Sequence, residues 1–187
     1  QNYESATDVL DKMTVNDFEL LKVVGKGSFG KVYQVREKKT GKIYALKSLK
    51  KQQLLKRKQI AHTQTERKVL QNISSPFIVN LIYAFQSQDR LYMVMDYFTG
   101  GELFYHLKTG GRFGYNRSKF YAAEITLALK ALHEAAIIYR DLKPENILVD
   151  ANGTLVISDF GIARVEGMTT HNTTVSGQGT PHYMSPE

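Results

Sequence analysis

The feature that most constrains this chain is a short polar stretch, residues 140–146, which follows an apolar approach. It places the acid Asp141, the lysine Lys143 and the amide Asn146 in one loop, and a second acid, Asp159, follows downstream. Carboxylate and amide oxygens are the ligands that hard cations such as Mg²⁺ prefer. If the chain folds back between Asn146 and Asp159, this stretch predicts a site for magnesium and phosphate.

The residues between Asn146 and Asp159 carry the pattern of a β-hairpin. Two strand-like runs, 147–149 and 155–157, are separated by Asn152-Gly153, a pair that is typical of tight hairpin turns. Pairing of these runs would bring the polar loop and Asp159 to the same end of one small hairpin.

A glycine-rich segment, residues 25–30, lies between two strand-like runs near the start of the chain. Gly25, Gly27 and Gly30 allow the backbone to approach phosphate oxygens closely and to adopt conformations that other residues avoid. The same spacing occurs in dinucleotide-binding turns, but those lead from a strand into a helix. Because the residues after Val32 show no helical period, the pattern favours a hairpin that covers phosphates.

A lysine in a strand and a glutamate in a helix are both predicted to lie on apolar faces. In the strand-like run 43–49, Lys47 shares one face with apolar neighbours. In a helix predicted over 52–73, Glu66 lies on the apolar stripe together with His62. A lysine in such a place usually reaches to water, whereas an unpaired buried carboxylate is costly. A Lys47–Glu66 ion pair would satisfy both side chains.

The chain changes character near its middle, from mainly β to mainly helix and loop. A continuous apolar run, 91–95, predicts a strand that is buried on both faces. It breaks into a polar, glycine-containing segment at 96–101, as a hinge between two lobes would. A long helix predicted over 118–136 has only a narrow polar stripe, so we expect it to be covered on most sides. No other segment of the sequence supplies that cover.

In this order, the motifs resemble the domain of eukaryotic-type protein kinases, and within these the AGC group of serine/threonine kinases. The stretches that resemble the AGC group are 25–32, 45–47, 75–79, 100–104 and 138–146. The resemblance implies an α+β, bilobal fold, with a β-rich N-lobe carrying one regulatory helix at about 17–95, a hinge at 96–101 and the first part of a helical C-lobe at 102–187. Residues 1–16 are interpreted as a leader or tether, and the later C-lobe helices are expected to be absent.

The resemblance also implies which residues carry the chemistry. Asp141 is the expected catalytic aspartate, which accepts the proton of the substrate hydroxyl or orients its oxygen. Lys143 is expected to neutralise charge on the transferred group, and Asn146 and Asp159 to hold Mg²⁺.

The ATP site implied by the resemblance is spread over several elements. Lys47, paired with Glu66, is expected to hold the α- and β-phosphates. The other residues expected to contact ATP are Val24, Gly25, Lys26, Gly27, Ser28, Phe29, Gly30, Val32, Ala45, Met95, Asp96, Phe98, Glu102 and Leu148. For the apolar members, ordinary core packing is an interpretation that can hold at the same time.

A phosphorylated activation segment is a further expectation. Arg140 needs an anion, which is either a fixed acid or a phosphate on the segment after Asp159. By resemblance, Arg164 and His62 belong to the same phosphate pocket. The candidate acceptors are Ser176, Thr173 and Thr174. This interpretation implies an upstream activating kinase as a partner.

The implied function is that of a serine/threonine protein kinase that uses ATP and Mg²⁺, since a lysine two residues after the catalytic aspartate is typical of that class. Glu102 and Glu145 occupy positions that often bind substrate arginines, so protein substrates with basic sequence contexts are expected. The alternative is a catalytically incompetent nucleotide-binding or scaffold fragment of a kinase. Residues 162–164, the segment 182–187 and Gln178, which stands where the group usually has cysteine, depart from the AGC pattern and leave the subgroup open.

The composition of the chain narrows the choice of partners and location only slightly. The formal charge of +7 would suit a negatively charged partner, such as nucleic acid or an anionic membrane. Much of the excess lies in 47–68, where a solvated helix face explains it, so no nucleic-acid partner is expected. The chain has no cysteine and no apolar run long enough for a transmembrane segment. The lack of cysteine fits a reducing interior, and a cytoplasmic location is predicted, with the nucleus as the other intracellular choice.

Overall fold

The computed structural model describes residues 13–27, 29–165 and 179–184, which form two compact units. The first unit draws on the chain up to residue 58 and on 81–97, and the second on 59–80 and the chain from 98 onward. Within the described ranges, no helix has the length and apolar character needed to cross a bilayer.

The first unit is built on one antiparallel sheet with the strand order β1-β2-β3-β5-β4. A short 3₁₀ turn, Val15–Asp17, leads into it. Its strands are β1 (Phe18–Gly27), β2 (Gly30–Glu37), β3 (Ile43–Lys50), β4 (Leu81–Gln86) and β5 (Arg90–Asp96). This sheet confirms the prediction that the first half of the chain is mainly β.

Side chains alternate across this sheet and build a cluster on each face. Tyr44 and Leu46 of β3 belong to an aromatic-rich cluster on one face, whose other buried members are Phe18, Val35, Tyr92 and Val94. Leu49 lies on the other face and packs with Met93 and with Leu54 of helix α1 (Lys51–Lys56). The apolar pattern of β3 and β5 therefore anchors the sheet on both sides.

The single helix predicted over 52–73 is wrong. The structure has two helices, α1 and α2 (Ile60–Asn72), separated by a break at 57–59. Lys58 adopts a left-handed backbone conformation with φ of 54°, which ends α1. The break coincides with a run of like charges, Lys56, Arg57 and Lys58, which offers no apolar side chain to hold a helical turn against a core.

The second unit combines helices with two small two-stranded sheets. Its helices are α2, α3 (Leu103–Gly110) and α4 (Tyr115–Glu134), and its strands are β6 (Ile137–Ile138), β7 (Ile147–Val149), β8 (Leu155–Ile157) and β9 (Arg164–Val165). Strand β6 pairs with β9, and β7 pairs with β8. Short 3₁₀ turns cover Pro144–Asn146 and Pro181–Tyr183. This mixture of elements confirms the predicted α+β class.

Helix α4 is the long helix that the sequence predicted over 118–136, and it begins three residues earlier. It buries one stripe, consisting of Tyr121, Glu124, Ala128 and Leu132. Tyr121 packs in a cluster with side chains from α3 and from both strands of the β7–β8 hairpin. Phe120 and Leu127 remain 54% and 48% exposed, so in the described residues much of this helix is uncovered.

Candidate active site

The β7–β8 hairpin has the register that the sequence predicted. Ile147 lies opposite Ile157, and Val149 opposite Leu155. In the turn, Oδ1 of Asp150 accepts hydrogen bonds from the backbone N–H groups of residues 152 and 154, both at 2.8 Å. Gly153 has φ of 87°, a conformation that glycine adopts without strain.

The backbone pairing of the hairpin continues for one residue beyond the last pair of its strands, Ile147 and Ile157. The N–H of Ser158 donates to the carbonyl oxygen of Asn146 at 2.9 Å. Asp159 follows in a left-handed conformation with φ of 55°, and its side chain is exposed whereas that of the next residue, Phe160, is fully buried. The backbone thus holds Asn146 beside the segment that carries Asp159, as the two-strand pattern predicted.

Three donors converge on the carboxylate of Asp141. Nζ of Lys143 lies 2.8 Å from Oδ2, Nδ2 of Asn146 donates to Oδ2 at 2.9 Å, and the hydroxyl of Thr180 donates to Oδ1 at 2.7 Å. Nζ of Lys143 also donates to Oγ1 of Thr180 at 2.9 Å. The structure therefore brings together the predicted residues Asp141, Lys143 and Asn146, and adds Thr180 to them.

These contacts fix the charge state of Asp141. Burial alone would raise the pKa of its carboxyl, but the hydrogen bonds from Lys143, Thr180 and Asn146 outweigh burial, so the pKa lies below its usual value. The carboxylate is therefore ionised at neutral pH. An ionised carboxylate next to an ammonium group can orient a hydroxyl group and accept its proton.

Thr180 is the functional residue that sequence reasoning missed. It lies 39 residues beyond Asp141, and no local periodicity connects the two positions. The sequence offered only an indirect signal, namely that Gly179-Thr180-Pro181 is a turn-forming triplet. Gly179 has φ of 120°, so the triplet does contain a turn that positions the threonine.

Asn146 and Asp159, at this end of the hairpin, carry oxygen atoms of the kind that magnesium prefers as ligands. Nδ2 of Asn146 is used by Asp141, so Oδ1 is the Asn146 atom that can ligate a cation, and the exposed Asp159 adds a carboxylate. Among the described residues no group of three or more His, Cys, Asp or Glu side chains is arranged to hold a metal. A site with two protein oxygens matches the habit of Mg²⁺, which takes its other ligands from phosphate and water.

Two arginines predicted for a phosphate pocket lie near each other. Burial lowers the pKa of the Arg140 guanidinium, and the like charge of Arg164 lowers it further. Nε of Arg140 donates to the carbonyl oxygen of Ile162 at 2.8 Å. His62 lies on α2, which packs against β9, the strand of Arg164. The candidate phosphorylation sites Ser176, Thr173 and Thr174 lie outside the described residues.

The glycine-rich segment forms the β1–β2 hairpin, as predicted, with Gly25 opposite Val32 and Gly27 opposite Gly30. Ser28 lies outside the described residues. None of the three glycines has a positive φ, so the expected use of glycine-only conformations is not observed. Gly30 has a different reason to lack a side chain: a Cβ atom there would overlap the carbonyl oxygen of Ser48 in β3.

Several predicted ATP contacts share one face of the sheet in the first unit. Val32 lies opposite Lys47, and Ala45 lies opposite Met95. Directly opposite residues of antiparallel strands project to the same side, and Lys47 and Ala45 are two residues apart on β3. The predicted residues Val24, Lys26 and Phe29 lie on or next to the β1–β2 hairpin, and Asp96 ends β5.

The remaining predicted ATP contacts belong to the second unit. Glu102 lies opposite Leu148 in an isolated antiparallel bridge, Phe98 is half-buried, and Glu66 is buried on α2 with 4% exposure. Pairing of Glu66 with Lys47 stays a prediction.

Comparison with known proteins places this chain. Residues 18–187 match the family described as the protein kinase domain. The chain belongs to the protein kinase family.

Similar proteins include "Protein kinase 2" of Dictyostelium discoideum, with 56% identity over 174 residues, 93% of this chain and 36% of that protein. The "RAC family serine/threonine-protein kinase homolog" of the same organism is 50% identical over 177 residues, 95% of this chain and 40% of that protein. "Serine/threonine-protein kinase gad8" of Schizosaccharomyces pombe is 51% identical over 175 residues, 94% of this chain and 31% of that protein. These relatives confirm the resemblance to AGC-group kinases, and the chain spans less than half of their length.

Proposed function

We propose that this chain is the catalytic part of a serine/threonine protein kinase, which transfers the γ-phosphate of ATP to hydroxyl groups of proteins. The observation that carries the proposal is the carboxylate of Asp141, engaged at 2.7–2.9 Å by Lys143, Thr180 and Asn146. It combines an ionised acid, a positive charge and a metal-ligating side chain within one loop. The names of the relatives, which are serine/threonine kinases, agree with this chemistry.

In this mechanism Asp141 accepts a hydrogen bond from the substrate hydroxyl, directs its oxygen toward the phosphoryl group and takes up its proton. Lys143 faces the negative charge that the phosphoryl oxygens carry. Asn146 and Asp159 offer oxygen atoms to Mg²⁺, which supplies positive charge to the phosphates when it is bound. Thr180 holds the Asp141 carboxylate in one orientation.

We assign ATP binding to the sheet face that carries Val32, Ala45, Lys47 and Met95, together with the glycine-rich hairpin. The apolar members of this face suit a flat adenine ring, and Lys47 suits phosphate oxygens. Lys47 lies opposite Val32, next to the glycine-rich hairpin, where the phosphates would lie.

We also propose that the substrates carry basic residues near the acceptor hydroxyl. Oε2 of Glu145 is buried, and in the described part of the chain it has no hydrogen-bond partner. A buried carboxylate oxygen left without a donor costs free energy, and an arginine guanidinium is the donor that suits it best. Glu102, exposed at the start of α3, offers a second carboxylate.

A pair of serine peptides tests this preference, one with arginine and one with alanine N-terminal to the acceptor. We expect kcat/KM to favour the arginine peptide, and Glu145→Gln to reduce that preference while Glu134→Gln, a control on the exposed end of α4, leaves it unchanged. Equal kcat/KM for the two peptides with the wild-type protein would overturn the basic-context proposal.

We further propose that Arg140 and Arg164 receive a phosphate on the activation segment. Their like charges repel each other, so an anion between them would be stabilised by both. The acceptor would be Ser176, Thr173 or Thr174, and an upstream kinase would supply the phosphate. Mass spectrometry of the protein isolated from cells would identify the site, and the absence of phosphate on all three would contradict the proposal.

The kinase proposal itself is tested by incubating the full chain with ATP, Mg²⁺ and a basic serine peptide. We expect phosphoserine to appear and to require Mg²⁺. Binding of ATP without any transfer would instead support the scaffold alternative. We assign the activity to the cytoplasm or the nucleus, where ATP is available.

A further inference from the structure

Ser158 connects the two residues that we assign to the metal. Its N–H donates to the carbonyl oxygen of Asn146 at 2.9 Å, and its hydroxyl donates to the same oxygen at 3.0 Å. Ser158 directly precedes Asp159, so both donors act on the backbone at the point where the hairpin delivers its two metal-ligating side chains.

The other side of Ser158 is fixed by a tyrosine. The hydroxyl of Tyr139 donates to the carbonyl oxygen of Ser158 at 2.5 Å. The Tyr139 ring is buried and meets the ring of Phe160 edge-on at 5.2 Å. The buried Tyr139 hydroxyl therefore fixes the backbone of Ser158 through its carbonyl oxygen.

Asn146 is held at both of its polar ends. Its backbone carbonyl oxygen accepts the two hydrogen bonds from Ser158, and its Nδ2 donates to the backbone carbonyl and to Oδ2 of Asp141, each at 2.9 Å. Asn146 is 6% exposed, so water offers little replacement for a lost bond. The orientation of its amide oxygen therefore depends on both partners.

The hydroxyl of Ser158 is not needed to continue the hairpin. The backbone N–H alone keeps residue 158 opposite residue 146, and an alanine would retain that bond. What the hydroxyl adds is a second bond to the same carbonyl oxygen, which restricts rotation of the peptide plane between Asn146 and Ile147. With the peptide plane restricted in this way, the amide of Asn146 has less freedom to move relative to the carboxylate of Asp159.

We propose that Ser158 is a positioning residue of the metal site: its hydroxyl, with that of Tyr139, fixes Asn146 relative to Asp159. The inference rests on the proposed function, because it takes Asn146 and Asp159 as the magnesium ligands. Ser158 itself touches neither metal nor phosphate in this account.

The test measures binding of a fluorescent, non-hydrolysable ATP analogue by the full chain, first without metal and then during a Mn²⁺ titration. For Ser158→Ala we expect the Mn²⁺ concentration at half-saturation to rise about fivefold, which corresponds to about 1 kcal/mol, with the metal-free affinity unchanged. Ser158→Thr, which keeps the hydroxyl, is expected to restore the wild-type midpoint. Ser87→Ala is the matched control, since its hydroxyl bonds Asp89 in the β4–β5 turn.

A second variant ensures that the test does not depend on one substitution, which could act by disturbing the fold. Tyr139→Phe keeps the ring and removes only the hydroxyl on the opposite side of Ser158, and we expect it to shift the Mn²⁺ midpoint in the same direction. A wild-type midpoint in Ser158→Ala, or an equal shift in Ser87→Ala, would overturn the inference. If the wild-type protein showed no metal-dependent binding at all, the assignment of Asn146 and Asp159, and with it the proposed function, would fail instead.

Discussion

The hydroxyl of Thr180 donates a hydrogen bond of 2.7 Å to Oδ1 of Asp141, and the same hydroxyl oxygen accepts one of 2.9 Å from Nζ of Lys143. The threonine thus links Asp141 to Lys143, the two residues to which the proposed function assigns catalysis. It couples the end of the activation segment to the loop that performs the proposed chemistry.

Replacement of this threonine should reduce catalysis more than stability. Hydrogen bonds to charged groups contribute about 1.5–3 kcal/mol, so Thr180→Ala is expected to lower kcat roughly ten- to hundredfold, while Thr180→Ser keeps most of it. Steady-state kinetics with a serine peptide measures this effect. Thr109→Ala is the control, because that hydroxyl bonds only its own helix, at the carbonyl of Tyr105, and should change nothing.

Gly100 should not tolerate a side chain. Its N–H donates to the carbonyl oxygen of Val149 at 3.0 Å, and a Cβ atom there would lie 2.6 Å from that oxygen and 2.9 Å from Cβ of Val149. We expect Gly100→Ala to lower the free energy of unfolding by about 1–3 kcal/mol, measured by urea denaturation. Gly110→Ala meets nothing within 4 Å and lies at the end of α3, so it should be neutral or slightly stabilising. Equal stability of the two variants would contradict the close approach at Gly100.

The buried carboxyl of Glu124 should make the free energy of unfolding depend on pH. Burial raises the pKa of its carboxyl from the ordinary value of 4.5, although the N–H of Leu155 bonds it at 3.0 Å. Because the folded pKa exceeds the unfolded one, the folded state binds the proton more tightly, and stability is lost as the pH rises through the folded pKa.

Glu124→Gln, which stays neutral and keeps an acceptor for Leu155, should therefore raise Tm at pH 7. The gain should shrink as the pH falls toward 4.5, where the wild-type carboxyl takes up its proton. Thermal denaturation across this pH range measures the effect, and Glu134→Gln on the exposed end of the same helix should show no such trend. A gain in Tm that is constant with pH would contradict the explanation by burial.

Lys47 should carry nucleotide affinity. Lys47→Met keeps the length of the side chain but removes its charge, so we expect the Kd for Mg-ATP to rise at least about tenfold, as measured by calorimetry. Lys42→Met, in the exposed turn between β2 and β3, is the matched control and should bind normally. Unchanged affinity in Lys47→Met would remove the sheet face from the proposed ATP site.

Most of the elements that could be predicted from the sequence were predicted from patterns of adjacent residues. The Asn152-Gly153 turn and the strand-like runs beside it predicted the β7–β8 hairpin in the correct register, because turn chemistry and alternation are properties of adjacent residues. The helix predicted over 52–73 failed at Lys58, where helical propensity was satisfactory but the backbone turns left-handed.

Contacts between distant parts of the chain were not predictable in the same way. Thr180 and Ser158 can take up their proposed roles only because their segments return to Asp141 and Asn146. Nothing in the spacing of the sequence encodes these contacts. Gly30 belongs to the glycine-rich motif, yet its observed constraint is the backbone of Ser48 in the neighbouring strand, which the motif alone does not indicate.

The proposed function rests on Asp141 as the catalytic base of a phosphoryl-transfer site. The most direct measurement compares the wild-type chain with Asp141→Asn, following transfer of the γ-phosphate to a basic serine peptide and, in the same samples, binding of Mg-ATP. We expect Asp141→Asn to bind Mg-ATP as the wild type does and to lose transfer by at least about a hundredfold. Transfer by Asp141→Asn at the wild-type rate would contradict the account.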